Sequence, residues 1–123
     1  MPAAPANPRI AAAREALARA VAGLDGVALR KVLASEAWFA RGSLFALVSR
    51  DARVVVRLPD ESAQDELLAV AGARPWKIGA KAPMRAWIEL PEEMNGDRKT
   101  LAKWVKRGWE LAPTAKTNRK RAT

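Results

Sequence analysis

The fold class predicted by the sequence is α+β: a small antiparallel β-sheet packed against flanking α-helices in a single domain. Three observations predict it. Amphipathic helical stripes open and close the chain, short runs of alternating apolar residues lie between them, and 123 residues, half of them apolar, are enough for one ordinary core.

The elements follow in order. Asn7 can cap free amides and Pro8 costs nothing at a first helical position, so a helix starts there. Ile10, Leu17, Val21 and Leu24 keep one apolar stripe, with Arg9 and Arg19 off it, until Asp25-Gly26 ends the pattern. The stretch VALRKVL, residues 27–33, suits either a strand or a helical turn. LFALVS and RVVVRL are β-rich runs joined by Arg50, Asp51 and Ala52, which predicts a hairpin over residues 44–58. Val54, Val56 and Leu58 share the face turned to a helix. Arg53, Val55 and Arg57 share the other, which is at least partly wet.

Pro59 closes that strand, and Asp60 can cap a short amphipathic helix running through ESAQDELLAVAG to Gly72. RPWKIGAKAPMRAWIELP supplies one or two further strands, with Met84, Ala86, Ile88 and Leu90 alternating against Arg85, Trp87 and Glu89. Asp97 or Asn95 caps a last helix through about Ala112, whose stripe is Leu101, Trp104, Val105, Gly108 and Ala112. Residues 1–7 read as a flexible start, 8–112 as the domain and 113–123 as a disordered basic tail.

Composition narrows the function classes. The absence of histidine and cysteine removes the commonest metal ligands and catalytic bases, so no catalytic residue, metal site or cofactor is expected. The turn GAKAPM holds Lys81 but lacks the hydroxyl and following helix of a phosphate-binding loop. Gly79 there reads as a turn residue, and neither a nucleotide nor another small-molecule substrate is expected. No apolar run approaches the roughly 18 residues of a membrane span, and no signal peptide is evident, so the expected location is cytoplasmic, away from the membrane.

The net charge of +9 is the strongest deviation from an average protein. Lys99, Lys103 and Lys106 recur at helical spacing with Arg107 beside them, and Lys116, Arg119, Lys120 and Arg121 follow in a tail without acids. Together they form a candidate nucleic-acid-binding set for DNA or another polyanion. Arg53, Arg57, Arg85 and Trp87 form a candidate exposed strand face, suited to a protein partner. Trp104, Trp76 and Trp38 read as core residues, with Trp87 and Trp109 open between packing and binding.

Certain stretches are more specific. GSLFALVSRDARVVVRLPDE, followed by Trp76, the turn from Gly79 to Lys81, MRAWIELP and a closing LAKWVKRGWE, resembles the TfoX N-terminal domain family and the related MmcQ/YjbR proteins. The resemblance spans roughly residues 10–112. It implies the same α+β scaffold, and its family includes a regulator of natural competence that acts through transcription. Competence-type members carry Met-Phe-Gly-Gly where this chain reads Ala37-Trp38-Phe39-Ala40. The resulting expectation is a small non-enzymatic regulator with weak electrostatic DNA binding. The alternative is a protein-interaction module without a nucleic-acid role.

Overall fold

A computed structural model describes residues 8–32, 35–76 and 84–112. Helix α1 spans Pro8–Val21, and four strands follow: β1 Val27–Val32, β2 Ser35–Ala40, β3 Ser43–Val48 and β4 Val54–Arg57. Helix α2 is Glu61–Leu68, β5 Arg74–Trp76 and β6 Met84–Glu89, and a 3₁₀ turn at Glu92–Gly96 leads into α3, Arg98–Leu111. All six strands pair antiparallel in the order β1-β2-β3-β4-β6-β5. This is the α+β plan that the sequence predicts.

Two boundaries differ from expectation. The first helix stops at Val21 rather than Leu24, and α2 stops at Leu68 rather than near Gly72. In both places tight turns replace the last helical turn: Leu24 N donates to Val21 O, and Val70 N to Leu67 O. The ambiguous stretch at 27–32 is a strand, because it pairs along its whole length with β2. Two of the predicted caps form, and the third, Asn7, lies outside the described residues. Asp60 accepts from Ala63 N at 3.0 Å and Asp97 from Thr100 N at 3.2 Å.

The predicted hairpin is β3 and β4, closed by Ser49 N donating to Arg53 O at 2.8 Å. Its three-residue loop ends with Ala52 at φ 62°, the left-handed position such loops need. A bulge shapes β3: Trp38 pairs with Ala46 and Phe39 with Leu44, leaving Phe45 unopposed. Phe45 and Ala46 consequently both join the core beneath the helices.

All three helices pack on one face of the sheet. Leu17 and Val21 of α1, Ala63 and Leu67 of α2, and Leu101, Trp104 and Val105 of α3 meet Phe45, Val48, Val54, Val56, Leu58 and Ile88. Val54, Val56 and Leu58 are fully buried, which confirms the predicted register. The opposite face holds a second cluster in which Val55 and Ala37 are also fully buried, with Leu47 nearly so. Val55 is therefore not the wet residue that alternation suggested, while Arg53 and Arg57 beside it remain half-exposed.

Candidate functional site

Helix α3 carries the first candidate surface. Its apolar stripe of Leu101, Trp104, Val105 and Gly108 is buried against the sheet, so residues half a turn away must face solvent. Lys99, Lys103 and Lys106 occupy that outer ridge and are exposed, and among the described residues none of them has an ion-pair partner. Lys103 Nζ lies 4.9 Å from the ring centroid of Trp104. Glu110, also exposed, stands at the C-terminal end of the ridge and bounds it.

Arg107 does not share the freedom of the three lysines. It is half-buried, and its Nη2 reaches Glu66 Oε1 of α2 at 3.4 Å. An exposed pair of this kind stabilises by less than about 1 kcal/mol, but it spends the positive charge inside the molecule. Lys116, Arg119, Lys120 and Arg121 lie outside the described residues.

The ridge gains basic neighbours that linear spacing did not reveal. A shallow groove of 290 Å³ separates α1 from the start of α3, floored by Ala16, Ala20 and Leu101 and flanked by Arg19 and Arg98. Arg19 is shared with Glu15 one helical turn earlier, at 2.9 Å. Arg98, exposed and one residue from Lys99, has no ion-pair partner among the described residues. It lies a quarter-turn off the lysine ridge, and the packing of α1 beside α3 places it with Arg19 at the groove.

The second candidate surface lies on the opposite side of the sheet. Cross-strand pairing puts Arg57 directly opposite Trp87, and Trp76 of β5 meets Trp87 edge-to-face with centroids 6.0 Å apart. Phe39, Leu44, Trp76 and Trp87 border the buried Ala37, Leu47 and Val55. Arg30 lies over the Phe39 ring at 5.2 Å. Arg53 turns away to donate to Gly72 O at 3.3 Å. Arg85 belongs to β6, but its side chain lies outside the described residues.

One carboxylate on this face is buried. Glu89 is buried, neighbours Val55 in the ladder and accepts from Arg74 Nε at 2.8 Å, while Arg74 Nη2 also reaches Asp51 at 3.1 Å. The hydrogen bond to Glu89 is the main cause that raises the Arg74 pKa above the ordinary arginine value. With Glu89 paired to Arg74, Arg30 and Arg57 are cations without an ion-pair partner on the helix-free face among the described residues.

The tryptophans sort by contact. Trp104 is in the main core and Trp38 packs against it, as expected. Trp109 is structural too: its Nε1 donates to Asp25 O at 2.8 Å, tying the end of α3 to the turn after α1. Trp76 and Trp87 belong to the smaller cluster. The lysine ridge and the tryptophan pair thus lie on opposite sides of the sheet and do not form one site.

No helix among the described residues is long and apolar enough to cross a membrane. The sequence matches the TfoX N-terminal domain family over residues 19–112, from the last turn of α1 through the end of α3. No curated protein and no solved structure matches.

Proposed function

The chain belongs to the TfoX N-terminal domain family, and on that premise we propose that it is a small non-enzymatic module that holds duplex DNA weakly by its phosphate backbone. The observation that carries this reading is the set Arg98, Lys99, Lys103 and Lys106. These four exposed cations project from one helix whose opposite side is locked into the core, with no carboxylate partner among the described residues. A helix fixed in this way presents its charges without the entropic cost of ordering a loop. Apart from Arg98 at its start, its outer face lacks the Asn, Gln and Arg constellation that reads base edges, so the contacts position the protein on DNA without reading sequence.

Salt dependence tests the proposal. Each phosphate neutralised on duplex DNA steepens the plot of log K against log salt by about 0.9, so replacing Lys99, Lys103 and Lys106 by alanine flattens it by roughly 2 to 3. Removing residues 113–123 flattens it by a further 3 to 4 or so if the four tail cations each reach a phosphate. Equal slopes for wild-type and triple-alanine proteins, or no binding at low salt, would remove this function from the ridge.

A protein-interaction role is favoured by one separate observation, the pairing of Arg57 with Trp87 beside Trp76 on the helix-free face. Arginine and tryptophan are the residue types that dominate interface energetics. Loss of partner binding in a Trp87→Ala variant with an unchanged DNA salt slope would support that role.

A further inference from the structure

The two edges of the sheet are protected very differently. The β5 edge is three residues long and carries Pro75, which cannot donate a ladder hydrogen bond. The β1 edge is six residues long with no proline, VALRKV. Its outward backbone groups follow from register. Arg41 N donates to Gly26 O, and because hydrogen-bonded pairs alternate along an antiparallel ladder, Ala28, Arg30 and Val32 bond inward to β2. The N–H and C=O groups of Val27, Leu29 and Lys31 therefore point outward, as a row of donors and acceptors with no strand partner among the described residues.

The side chains on this edge have a definite chemistry. Leu29 is 47% exposed, which makes it the exposed large apolar residue among those described. Arg30 and Lys31 follow it, both exposed, and neither forms an ion pair among the described residues. Glu36 faces Lys31 across the ladder without bonding to it. A second copy of this chain is a poor occupant: each copy carries +9, and six residues of strand bury far less than the roughly 1,200 Å² of a stable interface.

We infer that β1 is a docking edge for an extended acidic segment of a partner protein, which adds to the sheet as a seventh, antiparallel strand. Main-chain bonds to Val27, Leu29 and Lys31 supply the register, and side chains supply the selectivity. In that register the incoming strand places an acidic residue opposite Lys31, a second opposite Arg30, and an apolar residue opposite Leu29. The recognised pattern is acidic-acidic-apolar. This edge lies at the far side of the sheet from β5 and uses none of the α3 lysines, so the partner and the DNA backbone do not compete for the same side chains.

The test uses a fluorescent peptide with the core Thr-Glu-Glu-Val-Thr-Val, a matched peptide with lysines in place of the glutamates, and the full chain. The acidic peptide binds and the lysine peptide does not. On binding, amide exchange slows at Leu29 and Lys31 but not at Ala28 and Arg30, whose amides already bond to β2. A Leu29→Pro variant removes one outward donor while sparing the inner ladder, so its urea midpoint is retained and its affinity for the acidic peptide falls at least tenfold. The double variant Arg30→Glu, Lys31→Glu reverses the preference toward the lysine peptide. Three results would overturn the inference. These are an affinity unchanged by both variants, an affinity lost instead on replacing Lys99, Lys103 and Lys106, and doubling of the molecular mass with Leu29 and Lys31 protected before peptide is added.

Discussion

Arg41, at the turn between β2 and β3, donates from Nη2 to the carbonyl of Ala112 at 2.9 Å and also to that of Trp109, closing the C-terminus of α3 from 71 residues away. Its guanidinium lies over the Trp109 ring at 5.6 Å. A helix C-terminus leaves carbonyls without intrahelical partners and carries partial negative charge, so a cation there is doubly suited. The turn itself requires Arg41 at φ 53° and Gly42 at φ 86°.

Replacing Arg41 by alanine removes both bonds and keeps the left-handed backbone, so urea unfolding should show a loss of about 1–2 kcal/mol. Arg41→Gly relieves the backbone while losing the same bonds, and should be less destabilised than the alanine variant by about 1 kcal/mol. Equal stability of alanine and wild-type proteins would mean that the cap contributes nothing.

Gly108 lets α3 lie close against the sheet. A Cβ built there would lie 3.3 Å from Arg57 O and 3.5 Å from Phe45 O, backbone atoms of β4 and β3 that can yield little. Gly108→Ala gains about 1 kcal/mol of helix propensity, which offsets the tightened contact, and its melting temperature stays close to wild type. Gly108→Val adds bulk that has nowhere to go, and costs about 1–3 kcal/mol.

Gly72 combines two constraints, φ 88° and a position where an added Cβ would lie 2.8 Å from Pro91 Cβ. Alanine suffers both the left-handed backbone and the clash. Chemical denaturation of Gly72→Ala should give a loss of about 2 kcal/mol or more. A loss below about 0.5 kcal/mol would show that the turn after α2 can move away from Pro91.

Acid should weaken the link between Arg9 of α1 and Glu92. The hydrogen bond from Arg9 holds the Glu92 carboxyl below the ordinary glutamate range. A depressed folded-state pKa contributes stability that is fully present above the unfolded value, near 4.3, and is lost as pH falls through the folded value. The stability difference between wild type and Glu92→Gln is therefore expected at neutral pH and should shrink as pH drops below about 4. A difference that stays constant to pH 3 would mean that the carboxylate charge is not involved.

The local elements were legible because their signals are local. Asp60 and Asp97 cap helices wherever free amides follow them, the valines of β4 alternate with a period of two, and the α3 stripe recurs at 3.6 residues. Those periodicities determined the α+β class, the hairpin, the buried face of Val54, Val56 and Leu58, and the outward direction of Lys99, Lys103 and Lys106. Helix ends were less legible, since at Leu24 and Val70 a short turn and a further helical turn satisfy the same carbonyls with nearly the same residues.

The remaining features depend on partners distant in sequence. Alternation placed Val55 and Glu89 on a face presumed wet. Cross-strand neighbours and the bridge from Arg74 buried both, and a period of two carries no information on what covers a face. Arg107 sits beside the lysines along the chain but is held by Glu66, and Arg98 meets Arg19 at one groove because α1 packs beside α3. The exposed edge of β1 likewise follows from the strand order alone. Six strands can be ordered in many ways with the same local pattern, and the order β1-β2-β3-β4-β6-β5 is what leaves the outer side of β1, with Leu29, Arg30 and Lys31, without a second neighbouring strand among the described residues.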